Sequence, residues 1–148
     1  MDISSITTYQ AGVAQSSAYR NLNKLFSAML KEHDLTSMQW FVLGTIYDSG
    51  PDGIQLTKLA AKLQTGLPFI TNTINLLESK NMVERKDSPT DSRSKRVSIH
   101  PDFVATCERI EQNLRQKMRQ SVYASISPKD LRVYVKVLYQ LSTLEADN

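Results

Sequence analysis

Apolar positions along this chain recur mostly at helical spacing. From about Ser4 to Lys31 they form a stripe of Leu22, Leu25, Phe26, Met29 and Leu30, which Ile6, Tyr9 and Val13 extend back over several turns, and this predicts one long helix. Thr36 with Gln39 three residues on fits a capping box for the next helix, whose buried side is expected from Trp40, Phe41, Leu43 and Ile46. Asp48 to Gly53 ends that helix with turn formers. Between Gln55 and Lys80 the pattern gives a short helix, a tight turn and a longer helix in which Ile70, Ile74 and Leu77 share one buried face. Asn81, tolerant of left-handed backbone, closes it. The period then drops to two: Met82 to Lys86 and Lys95 to Ile99 alternate as half-buried strands, and Asp87 to Ser92 between them is all turn chemistry. Past Pro101, Phe103, Cys107, Ile110, Leu114 and Met118 mark a near-heptad seam on a helix over 102–124. Ser127-Pro128-Lys129-Asp130 starts a last helix, striped by Leu131, Tyr134, Leu138 and Leu141 and widened by Val133, Val137 and Leu144.

Helix, tight turn, helix and basic hairpin is the order of a winged helix-turn-helix, so the fold expected is mainly α with a small β-hairpin wing. The outer face of the longer helix sharpens this. Pro68, Asn72, Asn75 and Ser79 are small or amide-bearing, with no charge until Glu78 and Lys80 at the far end, whereas a solvated face is usually charged. Asn bonds bidentately to adenine in the major groove, and small apolar groups pack on the thymine methyl. Asn72 and Asn75 are therefore the expected base readers, with Leu67, Pro68 and Thr71 beside them; tolerated surface residues are the plainer alternative. Arg85 and Lys86 on the outgoing strand and Arg93, Lys95 and Arg96 on the return would carry phosphate and minor-groove contacts. Asp91, two residues from Arg93, would hold that guanidinium extended by a charge-assisted bond.

These residues together resemble the MarR-type transcriptional regulators over nearly the whole chain. Leu59-Ala60-Ala61-Lys62-Leu63 is similar to the family's first helix-turn-helix helix, Ile70 to Lys80 to its recognition helix, Met82 to Arg85 to the strand that follows, and Asp91-Ser92-Arg93 to its wing signature. Three positions depart from the family pattern. Gln64 stands where the turn commonly has Gly, with Gly66 two positions later; Asn72 stands where many relatives carry Arg, which with Asn75 shifts the expected half-site toward A·T; His100-Pro101-Asp102-Phe103 replaces the usual Thr and Gly.

Composition sets the bounds. At 148 residues, with 41% hydrophobic and 22% charged, the chain is ordinary for a folded protein. The net charge is only +3, but residues 52–100 carry eight Lys and Arg against five Asp and Glu, so the excess sits mainly in the segment expected on DNA. The start lacks a secretory pattern and no apolar run would span a membrane, so a cytoplasmic protein is expected. One cysteine excludes an intrachain disulfide, and on the apolar stripe Cys107 reads as inert packing rather than a redox sensor. His33 and His100 are isolated, and no nucleophile set, metal cluster or phosphate loop accompanies them, so neither an enzyme nor a metal nor a cofactor is expected.

The organisation that follows is a winged helix-turn-helix DNA-binding domain over 35–100 with a helical dimerisation region formed by 1–34 and 101–148. Terminal helices apolar over so much of their circumference need a second surface, which implies a homodimer. Two recognition helices related by a twofold axis would read a pseudo-palindromic operator. The resemblance implies a transcriptional regulator, most often a repressor released by a small aromatic or phenolic ligand, for which Arg20 could neutralise an anion and Trp40 stack on a ring. The competing class is a winged-helix protein-interaction module without specific DNA binding, which Phe69, large and apolar early in the recognition helix, keeps open. A non-specific architectural DNA binder fits the weak net charge poorly.

Overall fold

The computed structural model of the protein describes residues 2–88, 90 and 95–145. Its contacts divide the chain after Ile110 into two units.

In the first unit, a 3-10 turn over Ile3–Ser5 precedes α1 (Thr8–Lys31). The apolar stripe alone predicts this helix unbroken from Ser4. Two local devices interrupt it: the Asp2 carboxylate accepts from Ser4 N at 3.0 Å, and Thr7 and Gln10 form a capping box, with Thr7 Oγ1 accepting from Gln10 N at 3.2 Å and Gln10 Oε1 accepting from Thr7 N at 2.9 Å. The same device at Thr36 and Gln39 opens α2 (Ser37–Asp48) where the sequence placed it.

The buried side of α2 differs from the expected one at one residue. Trp40, Leu43 and Ile46 are buried as expected, but Phe41 is 45% exposed and Val42 is the residue fully enclosed. Phe41 is instead drawn toward α1, where its ring stacks on Phe26 with centroids 5.9 Å apart and planes 13° from parallel.

A two-residue strand, β1 (Ile54–Gln55), leads straight into α3 (Leu56–Lys62), and α4 (Leu67–Ser79) follows across the turn. Gln64 takes φ +51 in that turn, so the left-handed geometry usually given to glycine is kept with a side chain in place. After α4, Asn81 adopts φ +57 and the chain enters β2 (Val83–Asp87) and β3 (Lys95–Ile99). The expected hairpin is therefore part of a three-stranded antiparallel sheet in the order β1-β3-β2. Ile54 pairs with Val97, and Val83 with Ile99, so both short and long edge strands are registered on the central one. Leu30, Val42, Leu43, Ile46, Leu59, Ile70, Ile74, Leu77, Val83 and Val97 are fully enclosed, which pins α4 by one face against this unit's core.

A 3-10 turn over Pro101–Phe103 leads into α5 (Val104–Lys117). Cys107 and Ile110 on its seam are buried. The second unit begins within α5. Here the α-helix stops earlier than expected, and a π-turn covers Met118–Val122, with Tyr123 N donating to Met118 O at 2.9 Å in the i to i+5 pattern. Ser127 caps α6 (Pro128–Ser142) through its Oγ, 3.1 Å from Asp130 N. No residue of α6 is buried in the single chain, and Val133, Tyr134, Val137, Leu138 and Leu141 all lie more than a third exposed.

Candidate nucleic-acid interface

The candidate interface is built on α4. Helix formation is favoured by Pro68 in the first turn, where its missing N–H removes no intrahelical bond. With Ile70, Thr73, Ile74 and Leu77 buried, the helical period turns Leu67, Pro68, Phe69, Asn72, Asn75, Leu76 and Ser79 outward. Thr71 is half-buried and its hydroxyl donates back to Leu67 O at 3.0 Å, so its methyl rather than its hydroxyl is the group free to meet another surface. Phe69 is 44% exposed and Leu76 43%, giving this face a more apolar character than the amide pattern alone suggests.

Among the described residues, Arg85, Lys86 and Lys95, three of the cations expected beside α4, are each engaged within the chain. Arg85 folds back on the helix: its Nη1 lies 2.6 Å from Glu78 Oε1, its Nη2 donates to Asn75 Oδ1 at 2.6 Å, and its backbone N donates to Glu78 Oε2 at 3.1 Å. Lys86 donates to the carbonyl of Pro51 at the turn before β1, and Lys95 pairs with Asp87 across the wing. The Lys95–Asp87 pair is mostly exposed on both sides, and such pairs contribute at most about 1 kcal/mol, so Lys95 is exchangeable for a phosphate partner. Arg85 is held more closely, with only 26% of its side chain exposed. Asp91 and Arg93 lie outside the described residues.

Sequence reasoning did not assign Glu78 a role. Carboxylate and guanidinium meet across the corner between the end of α4 and the start of β2, a geometry that no sequence spacing announces. Gly53 likewise has a part that its turn signal does not announce. At φ +76 it lies against β3, and a Cβ there would meet Val97 O at 2.6 Å, so only glycine lets β1 close on the sheet. Arg96 Nη1 donates to its carbonyl at 3.4 Å.

A cavity of about 450 Å³ opens between the end of α2, the outer face of β2 and β3, and the start of α5; Tyr47, Pro51, Glu84, Ser98, Ile99 and Val104 are among its walls. Tyr47 Oη donates to Glu108 Oε1 at 2.7 Å, and that carboxylate holds the phenol above its ordinary pKa of 10.0. Neither Arg20 nor Trp40 lines this cavity. Trp40 is buried, and Arg20 is exposed with Nη2 donating to Ser17 Oγ at 3.3 Å. Among the described residues no group of three or more His, Cys, Asp or Glu is placed to hold a metal ion, and no helix is long and apolar enough to cross a membrane.

Residues 35–95 match the model of the MarR family. Solved structures similar to this chain include apo wild-type MarR from E. coli, 23% identical, with 92% of this chain and 97% of that one covered at a TM-score of 0.73. A cysteine-to-serine mutant of E. coli MarR complexed with operator DNA is 24% identical, covering 88% and 91% at 0.75. The S. aureus MepR–DNA complex is 22% identical, covering 87% and 97% at 0.69. The winged-helix fold extends through most of the chain in these likenesses.

Proposed function

We propose, from the match of residues 35–95 to the model of the MarR family, that this chain is a cytoplasmic, homodimeric, sequence-specific DNA-binding repressor. Two copies of α4 enter successive major grooves of a pseudo-palindromic operator, and the Arg93 wing reaches the adjacent minor groove. The observation that carries this reading is the outer face of α4. It is uncharged through Asn75 and bears amides, while its inner face is locked by Ile70, Ile74 and Leu77, beside a hairpin bearing Arg85, Lys86 and Lys95. The exposed apolar residues of α1 (Tyr9, Val13, Leu25) and of α6 are the surfaces a second copy would cover, which makes 1–34 and 101–148 the dimerisation region.

The test is fluorescence anisotropy of the purified protein on its own upstream intergenic DNA and on a scrambled duplex across a salt series. Binding at least roughly a thousandfold tighter to the first establishes a self-directed regulator. Asn72→Ala should then lose about 1 to 3 kcal/mol on the cognate site and relax preference at one base pair, and Arg93→Ala should lower the salt slope by roughly one. Equal losses of Asn72→Ala on unrelated DNA would make that residue a backbone contact.

Release by a small aromatic or phenolic anion at Arg20 and Trp40 belongs to the same proposal. A Trp40 fluorescence titration without saturable change would remove these two residues from it. The exposure of Phe69 and Leu76 favours one other reading, a protein-interaction module. Weak binding of equal strength to both duplexes, with Phe69→Ser abolishing capture of a defined partner, would support that one instead.

A further inference from the structure

The Asn75 amide is already engaged before any DNA arrives. A guanidinium carries donors only, so the amide atom 2.6 Å from Arg85 Nη2 is the oxygen, and the Asn75 NH2 group is turned away from Arg85. Arg85 in turn is held at two points by one carboxylate, through Nη1 at 2.6 Å from Glu78 Oε1 and through its backbone N at 3.1 Å from Oε2. Glu78 is three residues from Asn75 on α4 and so on the same side of the helix. Carboxylate, guanidinium and amide thus form one chain of charge-assisted bonds that starts and ends on α4.

We propose that Glu78 and Arg85 are positioning residues that fix the orientation of the Asn75 amide, so that it turns its NH2 group to the base and therefore selects guanine over adenine at its base pair. Guanine presents two adjacent acceptors in the major groove, N7 and O6, which suit two N–H hydrogens. Adenine places its N6 amino donor beside N7, so the second hydrogen of Asn75 faces another hydrogen. Cytosine offers only the N4 donor and is excluded. The bidentate adenine contact expected from sequence needs Oδ1 and the NH2 group to face the base edge side by side, whereas the bond to Arg85 turns Oδ1 toward β2 and leaves the NH2 group as the end that meets the base. The A·T preference is thereby confined to Asn72. This inference rests on α4 reading DNA, as proposed above.

The experiment is a bind-and-sequence selection by the full-length protein from a duplex with a randomised core, run for wild type, Asn75→Asp and Arg85→Met, with thermal melts to verify folding. Wild type should enrich guanine at one position of each half-site. Asn75→Asp keeps the size and the Arg85 partner but presents only acceptors, so it should move that position to cytosine, by roughly tenfold in base ratio, with neighbouring positions unmoved. Arg85→Met frees Oδ1 and should move it from guanine toward adenine. A merely structural network would alter stability or overall affinity, not the base chosen at one position. An unchanged base profile in folded Arg85→Met, or adenine enriched by wild type at the position that Asn75→Asp moves, overturns the proposal. So does a uniform loss for Arg85→Met with a shallower salt slope, which would make Arg85 a phosphate contact. If Arg85→Met does not fold, the base that wild type enriches at the position moved by Asn75→Asp decides: guanine supports the proposal and adenine overturns it. No enriched sequence for wild type would instead overturn the DNA-reading proposal beneath it.

Discussion

Two glycines three residues apart separate backbone strain from steric collision. Gly50 and Gly53 adopt nearly the same left-handed geometry, φ +78 and +76, in the turn between α2 and β1. A Cβ on Gly50 would meet nothing within 4 Å, whereas one on Gly53 would meet Val97 O at 2.6 Å and Val97 C at 3.0 Å. Gly50→Ala therefore carries the left-handed penalty alone, about 1 to 2 kcal/mol, reduced by about 0.4 to 1 kcal/mol because alanine restricts the unfolded chain. Gly53→Ala bears the same net loss of about 1 kcal/mol and adds a collision with a backbone carbonyl of the central strand, which cannot rotate out of the way. Overpacking of that kind costs about 1 to 3 kcal/mol, giving about 2 to 4 kcal/mol in total. Urea unfolding followed by the single tryptophan, Trp40, which is buried, would measure both variants. Losses equal within about 0.5 kcal/mol would refute the collision and with it the close seating of β1 on β3.

Gln64→Gly should raise stability by about 0.5 to 1 kcal/mol, since it removes the left-handed penalty at φ +51 and returns part of the gain as unfolded-chain entropy; an unmoved urea midpoint would contradict that geometry. The Tyr47 phenol is raised by its bond to Glu108 and by that carboxylate's charge, so the folded state holds the proton more firmly than the unfolded state does. The stabilisation is therefore whole below the ordinary tyrosine pKa and is lost as pH climbs through the raised one. Tyrosine-labelled NMR should show Tyr47 titrating late and Glu108→Gln restoring it toward the ordinary value; identical titrations in the two proteins would dismiss the contact. Cys107, 3% exposed, should resist a thiol reagent in native protein and react at once in denaturant, and Cys107→Ser should leave peroxide sensitivity of DNA binding unchanged. Rapid native labelling would reopen a sensor role.

What could be read from the chain alone was whatever repeats or is announced by a cap. Thr36 with Gln39, Ser127 with Asp130, the Ile70, Ile74 and Leu77 face, and the left-handed Asn81 all sit where local rules put them. The misses are of another kind. β1 is two residues long, too short to display a period of two, and exists only because Val97 and Arg96 are there to pair with it. Phe41 satisfied the apolar rule on a helix whose sides are nearly all apolar, so periodicity could not say whether it or Val42 would be enclosed; the Phe26 ring decided it. The π-turn at Met118–Val122 interrupts a seam that looked continuous. At the candidate interface, residue types identified Asn75 and Arg85 singly, but the bond between them and the part of Glu78 depend on a corner between helix and strand that no spacing rule reports.

The bare apolar face of α6 also sets how the protein would respond to its own abundance. Fifteen residues is about the length at which an isolated helix is marginal in water, and here none of them is buried within one chain. With a second copy as the cover, ordering α6 becomes a bimolecular event, and the melting temperature should rise with protein concentration. While monomers predominate, mass action makes the paired species grow as the square of the chain concentration. Halving the gene dose would then remove about three quarters of the operator-competent species, and a modest dilution would be felt at the promoter more than in proportion.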